Sequence, residues 1–181
     1  MTTPRDFEIV DAETVWSGRI IEVRVERFRH ADGEVVEREI VHHEGAVGIV
    51  AHDDAHVWLV RQPREAVNDP DVLEIPAGRL DVPGEPPLET ARRELAEEVG
   101  LAADDWQPIT SFYSSVGFSD EVVHLFRATA LRLGPPADSG ENERIEIVRW
   151  PLDRLDEAIA AVRDSKTLIG LQWLRWRLGG G

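Results

Sequence analysis

The chain lacks cysteine entirely and has a single lysine, Lys166. Without cysteine, the protein forms no disulfide bonds and offers no thiolate as a nucleophile or metal ligand. No run of 18 apolar residues occurs, so we expect no membrane span. The 20 basic residues face 35 acidic ones, which gives a formal net charge of −15. Because nucleic-acid binding needs clustered Lys and Arg, this balance argues against a nucleic-acid partner.

The composition is that of a folded domain. The chain has 181 residues, of which 42% are hydrophobic. A chain of this length buries about 70% of its unfolded surface, enough for one core. The first residues form neither a signal peptide nor a basic arm. We therefore expect a cytoplasmic protein.

Residues 78–101 contain the most informative pattern, a glycine loop followed by an acidic helix. A helix from Leu88 to Val99, at about 100° per residue, places four apolar residues on one narrow stripe. They are Leu88, Ala91, Leu95 and Val99. This stripe is the predicted buried face of the helix.

Two acidic residues of this helix, Glu94 and Glu98, are spaced at i and i+4 along the edge of the stripe. Like charges at this spacing repel each other, and they do so more strongly at the rim of a core. A hard cation between the carboxylates would remove the repulsion, and oxygen-only ligands suit Mg²⁺ or Mn²⁺. Glu97 falls further round the helix, toward solvent. Taken alone, the segment is also compatible with an ordinary solvated acidic helix.

Elsewhere, short strand-like runs alternate with a few helices. Period-two patterns between Phe7 and His43, divided by a turn at residues 31–33, predict an antiparallel hairpin. Further strands are predicted at residues 46–51, 57–62, 73–76, 106–112, 121–128 and 146–150. Two C-terminal helices follow, one opened by Pro151 and one from about Thr167. The second has a predicted buried stripe of Leu168, Leu171, Leu174 and Leu178.

The acidic segment resembles the signature of the Nudix hydrolases, G-x5-E-x7-R-E-U-x-E-E-x-G-U, in which U is aliphatic. The matching positions are Glu85, Arg93, Glu94, Leu95, Glu97, Glu98, Gly100 and Leu101. One departure is visible, because six residues instead of five separate Gly78 from Glu85. The flanking Pro76-Ala77-Gly78 and Gly100-Leu101 favour this resemblance over an ordinary acidic helix.

Three further segments resemble the ADP-ribose pyrophosphatase subgroup of that family. They are residues 60–64, residues 73–78 and residues 117–121. Val116 stands where that subgroup usually has a proline. The resemblance implies an α/β/α sandwich with a mixed sheet in residues 45–181. It also implies that the antiparallel strands of residues 1–44 are used to form a homodimer.

The resemblance further implies roles for individual residues. Glu94, Glu98 and the carbonyl of Ala77 would bind Mg²⁺, with Mn²⁺ as the alternative, and Glu143 would be a further metal ligand. Arg93 would orient Glu98 through a bidentate pair. Glu141, on the loop before residues 146–150, would be the general base, with Glu143 and Glu97 as competitors. Without the family context, residues 141–143 favour a solvated loop.

Substrate contacts are expected from Arg64, Glu74, Gly78 and Glu121. A surface salt bridge is an equally good interpretation of Arg64. Trp16 could stack on adenine from the neighbouring subunit, although a tryptophan there favours a core or interface position.

The function implied is Mg²⁺-dependent hydrolysis of the diphosphate bond of ADP-ribose or of a related nucleotide sugar. The alternatives are a Nudix hydrolase for another nucleotide sugar or a dinucleotide, such as GDP-mannose, and a non-catalytic ADP-ribose sensor. Intact acidic residues in residues 94–98 favour catalysis over sensing.

Overall fold

The computed structural model describes residues 6–135 and 144–180, which form two compact units. The first unit runs to Gly45 and also includes Tyr113–Val122; the second comprises Ala46–Phe112 and the chain from Val123 onward. We predicted a single boundary after residue 44. The segment from Tyr113 to Val122 was not expected in the N-terminal unit, because its attachment depends on contacts distant in sequence.

The first unit contains a three-stranded antiparallel sheet in the order β1-β2-β3. Its strands are β1 (Phe7–Ser17), β2 (Glu22–His30) and β3 (Val35–His42). The turn predicted at residues 31–33 joins β2 to β3, and Gly33 there has a positive φ of 91°. The sequence predicted one hairpin, and the structure adds β1 as a separate outer strand. Segment Tyr113–Val122 is held by β3, where the N–H of Val41 donates to the carbonyl of Phe118 (2.7 Å).

The second unit contains two sheets. One is mixed, in the order β7-β4-β9-β8, with β4 and β9 parallel; the other is antiparallel, in the order β10-β5-β6. The strands are β4 (Ala46–Ala51), β5 (His56–Arg64), β6 (Asp69–Glu74), β7 (Ala77–Arg79), β8 (Leu101–Tyr113), β9 (Val122–Leu133) and β10 (Glu146–Pro151). The helices are α1 (Pro87–Val99), α2 (Leu155–Ala161) and α3 (Ser165–Leu178).

Helices pack on both faces of the sheets, as strand β4 shows. Successive side chains of a strand point to opposite faces. Val47 and Ile49 therefore belong to the core cluster that contains Leu95 of α1, whereas Val50 belongs to the cluster that contains the buried residues of α2 and α3. The predicted mixed sheet between helices is therefore confirmed. Within the described residues, no helix is long and apolar enough to cross a membrane.

Several predicted features differ from the structure. Pro151, which was expected to open a helix, has an extended backbone and is the last residue of β10, and α2 begins only at Leu155. The strand expected at residues 73–76 is β6, which runs from Asp69 to Glu74. Strand β8 starts at Leu101, five residues before the predicted Trp106, directly after the left-handed Gly100 (φ 71°) that ends α1. Its first residues include Asp104 and Asp105, which have low strand propensity, and β8 lies at a sheet edge. On α3, Leu171 and Leu174 are buried as expected, but Leu178 is 49% exposed because the helix ends there.

The buried face of α3 can be tested by two matched substitutions. Leu171→Ala should lower the free energy of unfolding by about 2–5 kcal/mol, because it leaves a cavity in the core. Leu178→Ala on the same helix should cost less than about 1 kcal/mol. Urea unfolding followed by circular dichroism measures both. Equal losses in the two variants would contradict this assignment of the buried face.

Candidate active site

The site is built where α1 faces the Ala77–Gly78 bend, the place where the chain passes from β6 into the start of β7. Gly78, in β7, pairs with Val47 of β4. A Cβ atom at Gly78 would lie 2.0 Å from Cδ of Glu94, so the Glu94 side chain lies directly against the Gly78 backbone. Glu98 reaches the same bend, and its Oε2 accepts a hydrogen bond from the backbone N–H of Ala77 (2.9 Å). Only glycine at position 78 leaves room for this arrangement.

Arg93 lies in a dense group of carboxylates. Its Nη1 donates to Oε1 of Glu94 (2.8 Å) and to Oε2 of Glu97 (3.1 Å). Its Nη2 lies 3.4 Å from both Asp81 and Glu85. We expected Arg93 to orient Glu98 through a bidentate pair. The guanidinium instead bridges the carboxylates of Glu94, which is mostly buried, and Glu97, which is partly exposed.

Burial and crowding change the protonation of Glu94. Loss of hydration raises the pKa of Glu94 to about 7, although the charge of Arg93 opposes this, and the charges of Glu97 and Asp81 add to it. The local positive charge is therefore insufficient to keep this carboxylate ionised below neutral pH.

These residues fit a divalent cation in their chemistry. The donors are carboxylate oxygens, which Mg²⁺ and Mn²⁺ prefer, and a cation would offset the excess negative charge. In residues 6–135 and 144–180, however, no three acidic or histidine side chains are arranged as a metal site. The metal ligands predicted at Ala77, Glu94 and Glu98 thus stay a prediction. The remaining ligand, Glu143, lies outside the described residues, as does Glu141, the predicted general base.

Glu97, a competitor for the role of general base, lies on the same helix. Its side chain is 32% exposed and accepts from Arg93, so it is partly open to solvent as expected. Glu85 on the preceding loop accepts from the Thr90 hydroxyl (2.8 Å). The additional loop residue between Gly78 and Glu85 therefore leaves Glu85 beside α1.

Arg64, Glu74 and Lys166 form a second charged cluster. Both oxygens of Glu74 accept from Arg64, at 2.5 and 2.8 Å, and Lys166 donates to Oε2 at 2.6 Å. Glu74 is 1% exposed. Burial alone would raise the pKa of Glu74, but the two cations lower it below its ordinary value. We expected Glu74 to accept hydrogen bonds from a nucleotide. The structure instead engages its carboxylate with two cations of the protein, because a buried carboxylate requires such partners.

Arg64 is more open than its partner. Its side chain is 42% exposed. Its hydrogen bonds to Glu74 are the main reason why the pKa of Arg64 is raised. The charge of Glu98, whose Oε2 accepts from the N–H of Ala77, contributes to the same shift. Arg64 therefore forms a salt bridge, but with a buried carboxylate and not at the surface, and its contact with substrate stays a prediction.

The sequence analysis missed Lys166 and its neighbours at the start of α3. Asp164 caps the helix by accepting from the N–H and hydroxyl of Thr167. The Thr167 hydroxyl in turn accepts from the N–H of Ile75 (2.9 Å). Two signals were available: the capping pattern D-x-x-T and the only lysine of the chain.

Two predicted substrate contacts lie in the N-terminal unit. Trp16 on β1 is 55% exposed, and its ring lies over Gly18, so it is not part of a core. Oε1 of Glu121 lies 3.4 Å from Nδ1 of His43. Neighbouring Asp120 binds Nδ1 of His42 (2.5 Å) and the N–H of His43 (2.9 Å). These contacts fix Tyr113–Val122 within its own unit, and the substrate roles of Trp16 and Glu121 stay predictions.

Comparison with known proteins finds a match to the NUDIX domain family over residues 42–170. The chain is 43% identical over 149 residues to an ADP-ribose pyrophosphatase of Mycobacterium tuberculosis (strain ATCC 25618 / H37Rv), covering 81% of this chain and 72% of the relative. It is 38% identical over 167 residues to an ADP-ribose pyrophosphatase of Bacillus subtilis (strain 168), covering 90% and 89%. The crystal structure of an ADP compounds hydrolase superposes with a TM-score of 0.84 and 25% identity, covering 99% of this chain and 98% of that one.

The raised pKa of Glu94 predicts how the stability of the metal-free protein depends on pH. Because the pKa is about 7 in the folded protein and 4.5 ordinarily, the unfolded chain loses this proton first as the pH rises. The favourable contribution of protonated Glu94 to the free energy of unfolding is therefore complete below pH 4.5 and lost by about pH 7. The free energy of unfolding changes by roughly 3 kcal/mol at most across this range. Glu94→Gln should remove this part of the pH dependence, whereas Glu89→Gln on the exposed first turn should not. Urea unfolding in EDTA between pH 4.5 and 8 measures it, and identical profiles for wild type and Glu94→Gln would contradict the assignment.

Proposed function

This chain belongs to the NUDIX domain family, and from that premise we propose that it hydrolyses the diphosphate bond of ADP-ribose to AMP and ribose 5-phosphate. The family comparison confirms the resemblance inferred from residues 78–101. The substrate follows from the relatives named ADP-ribose pyrophosphatase and from the structural likeness to an ADP compounds hydrolase. Hydrolysis, as opposed to binding alone, is supported by the full set of acidic residues on α1.

The observation that carries the proposal is the pair Glu94 and Glu98 at the Ala77–Gly78 bend. One carboxylate lies against the Gly78 backbone, the other accepts from the N–H of Ala77, and burial raises the pKa of Glu94. Such a pair is electrostatically costly on its own. It becomes favourable when a divalent cation and an anionic diphosphate are bound together.

In this proposal, Glu94, Glu98 and the carbonyl of Ala77 hold Mg²⁺, with Mn²⁺ as an alternative. When bound there, such an ion would offset the charge of the diphosphate and make a water molecule more acidic. Arg93 keeps Glu94 and Glu97 in fixed orientations through its two short contacts. Glu141, or one of its competitors Glu143 and Glu97, accepts the proton of that water.

Arg64 contacts the substrate phosphates in this proposal. Two of its N–H groups are committed to Glu74, which fixes the plane of the guanidinium. Its exposed edge can then donate to a phosphate oxygen without a further loss of side-chain freedom.

We also propose that the protein forms a homodimer through its N-terminal strands. All eleven residues of the outer strand β1 are exposed, among them Phe7, Ile9 and Trp16. An exposed apolar edge strand is a ready surface for pairing with another chain. This proposal leaves Trp16 available to a neighbouring subunit.

The substrate can be tested with a panel of diphosphates. With Mg²⁺, kcat/KM for ADP-ribose should exceed that for other nucleotide sugars by at least about tenfold, because the site must match both halves of its substrate. Release of the nucleoside monophosphate, AMP from ADP-ribose or GMP from GDP-mannose, measures the reaction, and EDTA should abolish it. Equal or faster turnover of GDP-mannose or a dinucleotide would show that the substrate is wrong. Binding of ADP-ribose without AMP release would instead support a sensor.

The role of Glu98 can be tested separately. Glu98→Gln keeps the size of the side chain but removes its charge, so kcat should fall on the order of a hundredfold or more. Glu89→Gln is the matched control, since Glu89 lies on the same helix and pairs only loosely with Arg92 (3.7 Å). Thermal melting of both variants checks the fold. Near-normal turnover by Glu98→Gln would exclude Glu98 from metal binding.

A further inference from the structure

The only lysine of the chain is engaged in two ion pairs at the start of α3. Nζ of Lys166 lies 2.6 Å from Oε2 of Glu74 and 2.9 Å from Oδ1 of Asp164. The Lys166 side chain is 15% exposed and that of Glu74 is 2% exposed. Removing one partner of such a buried pair leaves an uncompensated charge, unlike the loss of a surface salt bridge. Lys166 therefore matters to Glu74 far more than an exposed lysine would.

The carboxylate of Glu74 binds both Lys166 and Arg64. Oε2 of Glu74 accepts from Nζ of Lys166 and also from Nη2 of Arg64, while Oε1 accepts from Nε of Arg64. A bidentate pair requires the carboxylate to lie in the plane of the guanidinium. Lys166 lies on α3 and donates to the same Oε2 atom that accepts from Arg64. This additional contact restricts the rotation of the Glu74 carboxylate.

Lys166 is itself fixed by the N-terminus of α3. Asp164 caps this helix through Thr167, and the Thr167 hydroxyl accepts from the N–H of Ile75, the residue after Glu74. The helix cap and its link to Ile75 use Asp164 and Thr167 and do not require a lysine side chain between them. The ammonium group of Lys166 thus serves the carboxylates beside it and is not needed to form the helix.

We propose that Lys166 is a positioning residue for substrate binding. By holding the shared carboxylate of Glu74, it sets the orientation in which the exposed edge of Arg64 meets the diphosphate. The inference rests on the proposed function, which assigns Arg64 to the substrate phosphates. Lys166 acts through Glu74 and Arg64 and does not touch the substrate.

A double-mutant cycle with Arg64 tests this dependence. Lys166→Met should raise KM for ADP-ribose about tenfold and change kcat by less than about threefold, since the chemistry at α1 is intact. Lys166→Arg, which keeps the charge, should recover most of the loss. In an Arg64→Met background, Lys166→Met should raise KM by less than about twofold, because residues acting through one contact are not additive.

Arg177 provides the matched control. It lies on the same helix as Lys166, in the last turn, and is exposed. Arg177→Met removes the same charge and should leave KM within about twofold of wild type. Additive effects of Lys166→Met and Arg64→Met, or an equal rise of KM in Arg177→Met, would overturn the proposal. A fall in kcat alone would do so as well.

A spectroscopic measurement separates this inference from the proposed function. In the substrate-free protein, the Nε–H of Arg64 should give a slowly exchanging, downfield proton signal because it donates to a buried carboxylate. The signal should be lost or broadened in Lys166→Met and retained in Lys166→Arg and Arg177→Met. Persistence in Lys166→Met, with the fold checked by thermal melting, would overturn the positioning role. Absence of ADP-ribose hydrolysis by the wild type would overturn the proposed function and leave this measurement decisive for Lys166.

Discussion

The concentration of negative charge at the Ala77–Gly78 bend is the constraint on which the candidate site depends. Glu94 and Glu98 both approach the bend from α1, and Glu94 also accepts a hydrogen bond from Arg93. Burial deprives the Glu94 carboxylate of water, so its pKa rises to about 7. A folded protein retains such an arrangement at a cost in stability, which function compensates. The glycine at position 78 is what allows the carboxylate and backbone to approach so closely.

The surrounding structure holds this charge in place from two sides. Leu95 and Val99 anchor α1 in the core below the carboxylates. On the other side, the bend follows β6, whose end is tied to α3 through Ile75 and Thr167. The bend is therefore fixed on one side by the contact of Ile75 with Thr167 and on the other by the pairing of β7 with β4. Preorganisation of this kind reduces the loss of entropy when a ligand binds.

The two charged clusters deal with buried carboxylates in different ways. Glu74 is neutralised within the protein by Arg64 and Lys166, and its pKa falls. Glu94 has Arg93 as a partner but also several acidic neighbours, and its pKa rises. The first arrangement balances its buried charge with cations of the protein itself. The second has an excess of negative charge, which suits it to take up a cation.

The sequence by itself determined the features set by local periodicity and by short spacings. The buried stripe of α1, its end at Gly100 and the proximity of Glu94 to Glu98 follow from the helical repeat. The mixed sheet between helices was also predictable, since apolar runs and turns alternate along the chain. Only the tertiary structure decided the partners of Arg93 and Glu74, the exposure of Leu178 and the attachment of Tyr113–Val122 to β3. Glu74 and Lys166 lie 92 positions apart in the chain, and no local pattern encodes a contact at that separation. Such contacts arise because a buried charge takes whichever partner the packing of distant elements brings within reach.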